Sequence, residues 1–329
     1  MSTVRISGKV ITSICSLFAV LVLTGCGGSP ETPTGSRSPG APAASTPSGR
    51  KININTAILS ELDRIEAELA VPALSNRIQA ERPYASPDEL VAKKVLTPEQ
   101  YARVKDQLTV EDIVLTGEAK DIDYMTKLGL MRGHLLVARE LLVGGESAAA
   151  LPHIGHPIEE IYLDIEGQLD ERGVAQFKSI LLELQQLVRF SATSPKVAPA
   201  LAAALAAIDG AMNALPVTQR RSPAFVLQVI DQLLEAAGTE YAAAVNDGRI
   251  AARIEYEDSR GFVTYAAQLF ADIAPTLQAS DPTAARQLSA GLAEIKRAWP
   301  SIAAPRTVVL TPDQVRVRIK DVERAGQKV

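Results

Sequence analysis

The chain has 329 residues, 47% of them hydrophobic but only 4% aromatic, and a formal net charge of −4. Abundant Ala and Leu with few aromatics point to packed helices over a length sufficient for two domains, while the acidic balance argues against a protein that wraps nucleic acid. Both cysteines, Cys15 and Cys26, lie at the start of the chain, so the body has no thiol for a disulfide, a cluster or a nucleophile.

The N-terminal segment carries Arg5 and Lys9, then an apolar stretch from Val10 to Leu23, with no acidic residue before Cys26. This is the layout of a secretory signal. A membrane-spanning helix would need about 20 apolar residues, and the stretch is shorter and interrupted by Ser13 and Ser16. Its end, Leu23-Thr24-Gly25-Cys26, resembles the lipobox of bacterial lipoproteins. The resemblance implies removal of residues 1–25, a lipid on Cys26, and a periplasm-facing body anchored to a membrane. Gly27 follows the cysteine where an Asp would imply inner-membrane retention, so the outer membrane is the expected address. Loss of residues 1–25 removes two positive charges and moves the balance from −4 to −6. Residues 26–50 are almost all Gly, Ser, Pro, Thr and Ala, a composition too poor in large apolar groups to fold, and read as a tether.

A first folded domain is expected over residues 51–112, as two short helical pairs with turn signals at Pro72, Pro83-Tyr84, Pro87 and Thr97-Pro98. The strings ININTAILSEL (52–62), RPYASPDELV (82–91) and YARVKDQLTV (101–110) resemble the tandem helix-hairpin-helix domain of ComEA-type competence proteins. The resemblance implies that fold, with Thr56 as an N-cap, and a DNA-uptake accessory role. In that family, glycine hairpins bring backbone N–H groups to phosphate. Here the corresponding turns read Glu68-Leu69-Ala70-Val71-Pro72 and Lys94-Val95-Leu96-Thr97, without glycine, and residues 51–110 hold eight Lys or Arg against nine Asp or Glu. Nucleic acid is therefore disfavoured as a partner, and a protein-interaction or spacer role in the envelope is preferred.

Residues 119–329 are expected to form an all-α helical bundle. Three stripes have helical spacing: Ile158, Ile161, Tyr162, Ile165 and Leu169; Val174, Phe177, Leu181, Leu184 and Val188; Phe225, Val229, Ile230, Leu233 and Leu234. Gly144-Gly145 and Gly173 read as stops, and Pro157, Pro223 and Pro312 as starts. The segment Arg132-Gly133-His134-Leu135-Leu136-Val137-Ala138 aligns without gaps on Arg260-Gly261-Phe262-Val263-Thr264-Tyr265-Ala266. Both then reach a polar residue plus proline, His156-Pro157 and Asp281-Pro282. A duplicated helical hairpin explains this, and chance similarity between amphipathic helices is the alternative.

All three histidines lie between His134 and His156. On a helix from about Asp121 to Val143, His134 shares a face with Leu130, Met131, Val137, Ala138 and Leu141 and points inward. His153 and His156 are expected in a loop before the Pro157 helix, where His156 and Glu159 have the i, i+3 spacing of a ligand pair. Along residues 248–277, Glu255 and Asp258 fall within an apolar stripe of Ala251, Phe262, Tyr265, Leu269 and Ile273. Buried carboxylates need partners. One reading pairs them with Arg132 or Arg260; the other gathers His134, His153, His156, Glu159, Glu255 and Asp258 around a transition metal such as iron, zinc, copper or manganese. The His-x-x-Glu pair, the envelope address and the helical body are similar to imelysin-like iron-uptake proteins, although the Gly-x-His-x-x-Glu pattern of that group is absent because His156 follows Gly155 directly. The expected function is non-catalytic binding or sensing of a metal ion or a protein partner. A DNA-uptake accessory is the alternative, and a metal-dependent enzyme the third reading.

Overall fold

The computed structural model describes residues 51–57, 59–111 and 115–329. The signal, the lipobox Cys26 and the tether fall outside the described residues. The elements are β1 (Ile52–Asn53), α1 (Leu59–Leu69), α2 (Leu74–Ala80), α3 (Glu89–Ala92), α4 (Pro98–Val104), β2 (Leu108–Thr109), α5 (Gly117–Val143), α6 (Ser147–His156), α7 (Tyr162–Glu171), α8 (Lys178–Ser191), α9 (Val197–Met212), α10 (Val217–Arg220), α11 (Pro223–Ala244), β3 (Val245–Asn246), β4 (Arg249–Ile250), α12 (Arg253–Ser280), α13 (Pro282–Lys296) and α14 (Pro312–Gly326). The fold is all-α; the strands only form a parallel β1–β2 pair and an antiparallel β3–β4 pair.

Residues 51–110 enclose a small core of their own, with Ile54, Leu62, Ile65, Leu74, Ile78, Leu90 and Val104 fully buried. The β1–β2 pair closes it by joining its two ends. Asn55 clamps the middle, donating to the Tyr84 carbonyl at 2.8 Å and accepting from the Tyr84 N–H at 2.7 Å. Thr56 lies in the turn after β1, its N–H bonded to the Asn53 carbonyl, and α1 begins only at Leu59. The N-cap assigned to Thr56 is therefore corrected: the residue lies in the Asn53 turn, ahead of the helix described from Leu59. The hairpins lack glycine yet keep left-handed backbone, at Ala70 (φ 53°), Ala73 (φ 56°) and Lys94 (φ 59°). In the first hairpin the Glu66 carboxylate accepts from the N–H groups of Ala73 and Ser75, both at 3.0 Å.

The larger core is built from two rings of four helices. In the first, α5 packs on α6 and α9, and α8 packs on both α6 and α9; in the second, α11 packs on α12 and α14, and α13 on α12 and α14. The rings meet mainly along α5 against α11 and α12, with α6 also touching α12. Buried side chains therefore surround α5 on every side, including Tyr124, Leu128, Met131, His134, Leu135 and Ala138, as expected of a helix enclosed by others. All members of the 158–169 and 225–234 stripes are buried, and in the 174–188 stripe only Val174, ahead of α8, is not.

The aligned segments 132–138 and 260–266 meet at this seam. A Cβ on Gly261 would lie 2.4 Å from the Gly133 carbonyl oxygen, and one on Gly133 would lie 2.7 Å from the Phe262 ring. Only glycine at both positions lets the two backbones cross so closely. Equivalent residues thus touch each other, His134 against Phe262 with ring centroids 4.9 Å apart. The likeness does not extend to the ends of the hairpins. Asp281 caps α13, accepting from the N–H groups of Thr283 and Ala284, whereas His156-Pro157 lies inside a continuous helical run.

That run corrects the sequence reading of residues 144–157. Gly145 (φ 78°) ends α5, with the Glu146 N–H returning to the Leu141 carbonyl. A new helix then starts at Ser147, not at Pro157. His153 and His156 are helical residues of α6, not loop residues. Pro157, lacking an N–H, interrupts the regular ladder, and the chain passes through a wide π-type turn at Pro157–Ile161 before α7. Likewise α5 starts at Gly117, earlier than Asp121, and Ala251 is exposed ahead of α12.

Candidate metal centre

Three helices deliver the polar groups that converge on Asp258 in the interior. His134 comes from the middle of α5, His153 and His156 from successive turns of α6, and Glu257 and Asp258 from the first turns of α12. Their arrangement centres on Asp258, which is 3% exposed. Its Oδ1 lies 2.6 Å from His134 Nδ1 and 2.7 Å from His153 Nδ1. Its Oδ2 lies 3.0 Å from His156 Nδ1, at angles outside hydrogen-bond range, so that this buried nitrogen has no bonded partner. One donor atom from each of His134, His153, His156 and Asp258 falls within 4.8 Å of the others.

A second layer holds the first in place. His153 Nε2 meets Glu257 Oε2 at 2.9 Å, Arg253 Nε donates to Glu257 Oε1 at 2.6 Å, and Arg253 in turn reaches Glu146 at 2.7 Å. A carboxylate oxygen thus faces each ring nitrogen of His153. Burial alone would lower its pKa, but Asp258 and Glu257 together outweigh burial and hold it at about 9. His156 is raised to about 9 in the same way, against burial, by Asp258 and then Glu160 and Glu159. His134 goes the other way: burial dominates over Asp258 and lowers its pKa. Asp258 is held well below the usual carboxylate range because His134 and His153 outweigh its own burial.

Two of the expected ligands are not part of this group. Glu159 is exposed, and its carboxylate accepts from Gln185 Nε2 at 3.5 Å. The π-type turn has more than four residues per turn, so the residue four on from His156 returns to its side instead: His156 Nε2 lies 3.8 Å from Glu160 Oε1. Glu255 is half-buried and sits about one turn of α12 before Asp258, outside the group. The ion-pair alternative fails for Asp258, since Arg132 is paired with Asp209 and Arg260 with Glu140. Sequence reading missed Glu257, whose signal was the Arg253-x-x-x-Glu257 spacing. It also missed Glu240, which lies on the inward stripe of α11 with Leu233, Ala237 and Ala244.

The donor set suits a metal of intermediate character. Three imidazoles and one carboxylate, without thiolate, match iron, zinc, copper or manganese in a helical interior. His153 shows the outer carboxylate that orients ligating histidines, and His156 Nδ1 is a buried nitrogen awaiting a partner. A bound cation would release the Nδ1 protons now shared with Asp258 and keep the Nε2 proton of His153 on Glu257.

Residues 216–329, which span α10 to α14 and hold Glu257 and Asp258 but none of the histidines, match the model of an iron permease-associated four-helix bundle domain. No curated protein and no solved structure among those compared matches the chain.

Proposed function

We propose that the protein is an envelope lipoprotein that binds iron, without catalysis, as an accessory of iron uptake. The observation that carries this reading is the convergence of three histidine Nδ1 atoms on the Asp258 carboxylate. Likeness of the second helical ring to an iron permease-associated domain favours iron among the metals that suit the donors. Burial of His134 and His153, at 3% and 0% exposure, suits an ion better than an organic substrate, and His156 is the least buried ligand. An ion reaching that ring is cargo or signal, and transfer to a permease needs the reversible protonation that His153 and His156 provide.

The test is anaerobic Fe(II) titration of the full chain in detergent, read by elemental analysis and thermal melting. The parent should retain iron and melt higher with it, because a ligand that binds only the folded state stabilises by mass action. His134→Ala should lose both effects. A parent that carries no iron and melts identically with and without it would refute the reading.

Membrane attachment through Cys26 is part of the proposal, and rests on the lipobox resemblance. Cys26→Ser should no longer incorporate a palmitate analogue; continued labelling would remove the anchor. For the N-terminal module, packing of α1 on α11 and the Glu66 carboxylate on the hairpin N–H groups support a structural role over DNA binding. The atoms that would meet a phosphate already hold an anion.

A further inference from the structure

The side chains of His134, His153 and Asp258 are buried, so a cation reaches them only when an element that carries a donor moves. Two of the three donor helices are held together: α5 and α12 cross with Gly261 against the Gly133 carbonyl, close enough to pack as one unit. The third, α6, brings His153 and His156 and is interrupted at both ends. Gly144-Gly145 precedes it, with Gly145 in the left-handed region (φ 78°), and the π-type turn at Pro157–Ile161 follows it. Pro152 also removes one rung from its own hydrogen-bond ladder.

One chain of polar contacts ties α6 to α12 from the surface inward. Glu146, the residue immediately before α6, accepts from Arg253 at 2.7 Å. Arg253, the first residue of α12, donates through Nε to Glu257 at 2.6 Å, one turn further along. Glu257 meets His153 Nε2 at 2.9 Å, and His153 Nδ1 meets Asp258 at 2.7 Å. The two bonds of Arg253 stand in different surroundings. Glu257 is 1% exposed, so Arg253 is the counter-charge of a buried carboxylate there, and that bond is costly to break. Glu146 and Arg253 are 45% and 47% exposed, where water and salt compete for both partners and the bond breaks easily. The weak bond is the one that crosses between the helices, since Arg253 and Glu257 both belong to α12.

We infer that α6 is the moving arm of the metal centre and that the Glu146–Arg253 ion pair is the latch that closes it. When the latch opens, Arg253 stays with Glu257 on α12. The arm then turns about Gly145 and the π-type turn, and carries His153 and His156 away from His134 and Asp258. A divalent cation enters or leaves in that state, and the returning histidines complete its coordination. The inference deepens the metal reading and rests on it: α6 supplies two of the four donors, so a cation is only half-coordinated while the arm is open and departs from there.

The experiment uses the full chain in detergent and Co(II) as the probe, its ligand-field absorbance read by stopped flow on mixing and again on release into excess chelator. Glu146→Gln keeps the size of the side chain and removes the charge that holds Arg253. It should raise the uptake and release rates together, roughly two- to fivefold, and leave the absorbance maximum in place. Added salt should speed release from the parent and have little effect on the variant, in which the screened pair is already gone. Rates equal to the parent's overturn the latch, as does an altered spectrum with weakened binding, which would make Glu146 a support of the donors. Amide hydrogen exchange of the metal-free chain tests the arm separately: residues 147–156 should exchange faster than α5 around Gly133, and faster still in Glu146→Gln. A parent without a Co(II) spectrum refutes the metal centre on which the inference rests. Residues 147–156 protected as fully as α5 overturn the moving arm, whichever way the metal test falls.

Discussion

Asp258→Asn is the most informative single change in this protein. In the metal-free chain it replaces the one carboxylate on which His134, His153 and His156 converge by an amide that cannot balance the charge on His153. Two charge-assisted hydrogen bonds are lost, and breaking a buried pair by removing one partner costs about 3–5 kcal/mol. For a chain of this size each kcal/mol moves the melting midpoint by about 2–4 °C, so the midpoint should fall by roughly 6–20 °C. The pH dependence has a definite sign. Asp258 is depressed in the fold, so its contribution exists above the ordinary value of 3.8 and disappears as the pH falls through the folded value. His153 is raised from 6.5 to about 9, so its contribution is complete below 6.5 and is lost as the pH rises through about 9. The gap between parent and variant should therefore be widest from about pH 4 to 6.5 and narrow towards alkaline pH. Differential scanning calorimetry of both proteins in chelator across that range is the assay. A variant that melts within about 1 kcal/mol of the parent throughout, with unchanged iron binding, would refute the placing of Asp258 at the hub.

Glu257→Gln leaves the inner donors intact but weakens the acceptor on His153 Nε2, and should lower iron affinity about 10–100-fold while the stoichiometry holds; isothermal titration checks it. Gly261→Ala drives a methyl into the Gly133 carbonyl at the α5–α12 crossing and should destabilise by about 1–3 kcal/mol or more, since backbone must move. Denaturant unfolding measures this, and an unaltered midpoint would show that the helices do not cross where described. Asp231, half-buried between α11 and α14, is raised to about 7 by burial, then Glu323, against Lys320. Its raised folded value means that stability is lost as the pH rises from 3.8 through 7, so Asp231→Asn should flatten the fall of the metal-free melting midpoint over that window by on the order of 1 kcal/mol after screening.

Much of this arrangement was legible in the chain. Helical periodicity identified the all-α class and the buried stripes, because a helix that must bury one face repeats its apolar residues every 3.6 positions whatever it packs against. The same logic turned His134 inward from its neighbours on α5, and the repeated Arg-Gly motif marked both sides of the α5–α12 crossing. Glu240 lay within reach of that reasoning, one polar residue on the apolar stripe of α11. Tertiary structure decided the rest. The wide turn after Pro157 moved Glu159 out and Glu160 in, a shift of a single residue that no average periodicity registers, since it depends on how a proline-interrupted helix repacks. Between Glu255 and Glu257, a helical phase uncertain by a fraction of a turn could not choose. Packing against α6 decided it by carrying His153 to Glu257. The meeting of His134 with Asp258, 124 positions apart, is a property of which helices share a seam. Each partner is written in the sequence as a side chain on an apolar face, but its counterpart is determined only when the faces are brought together.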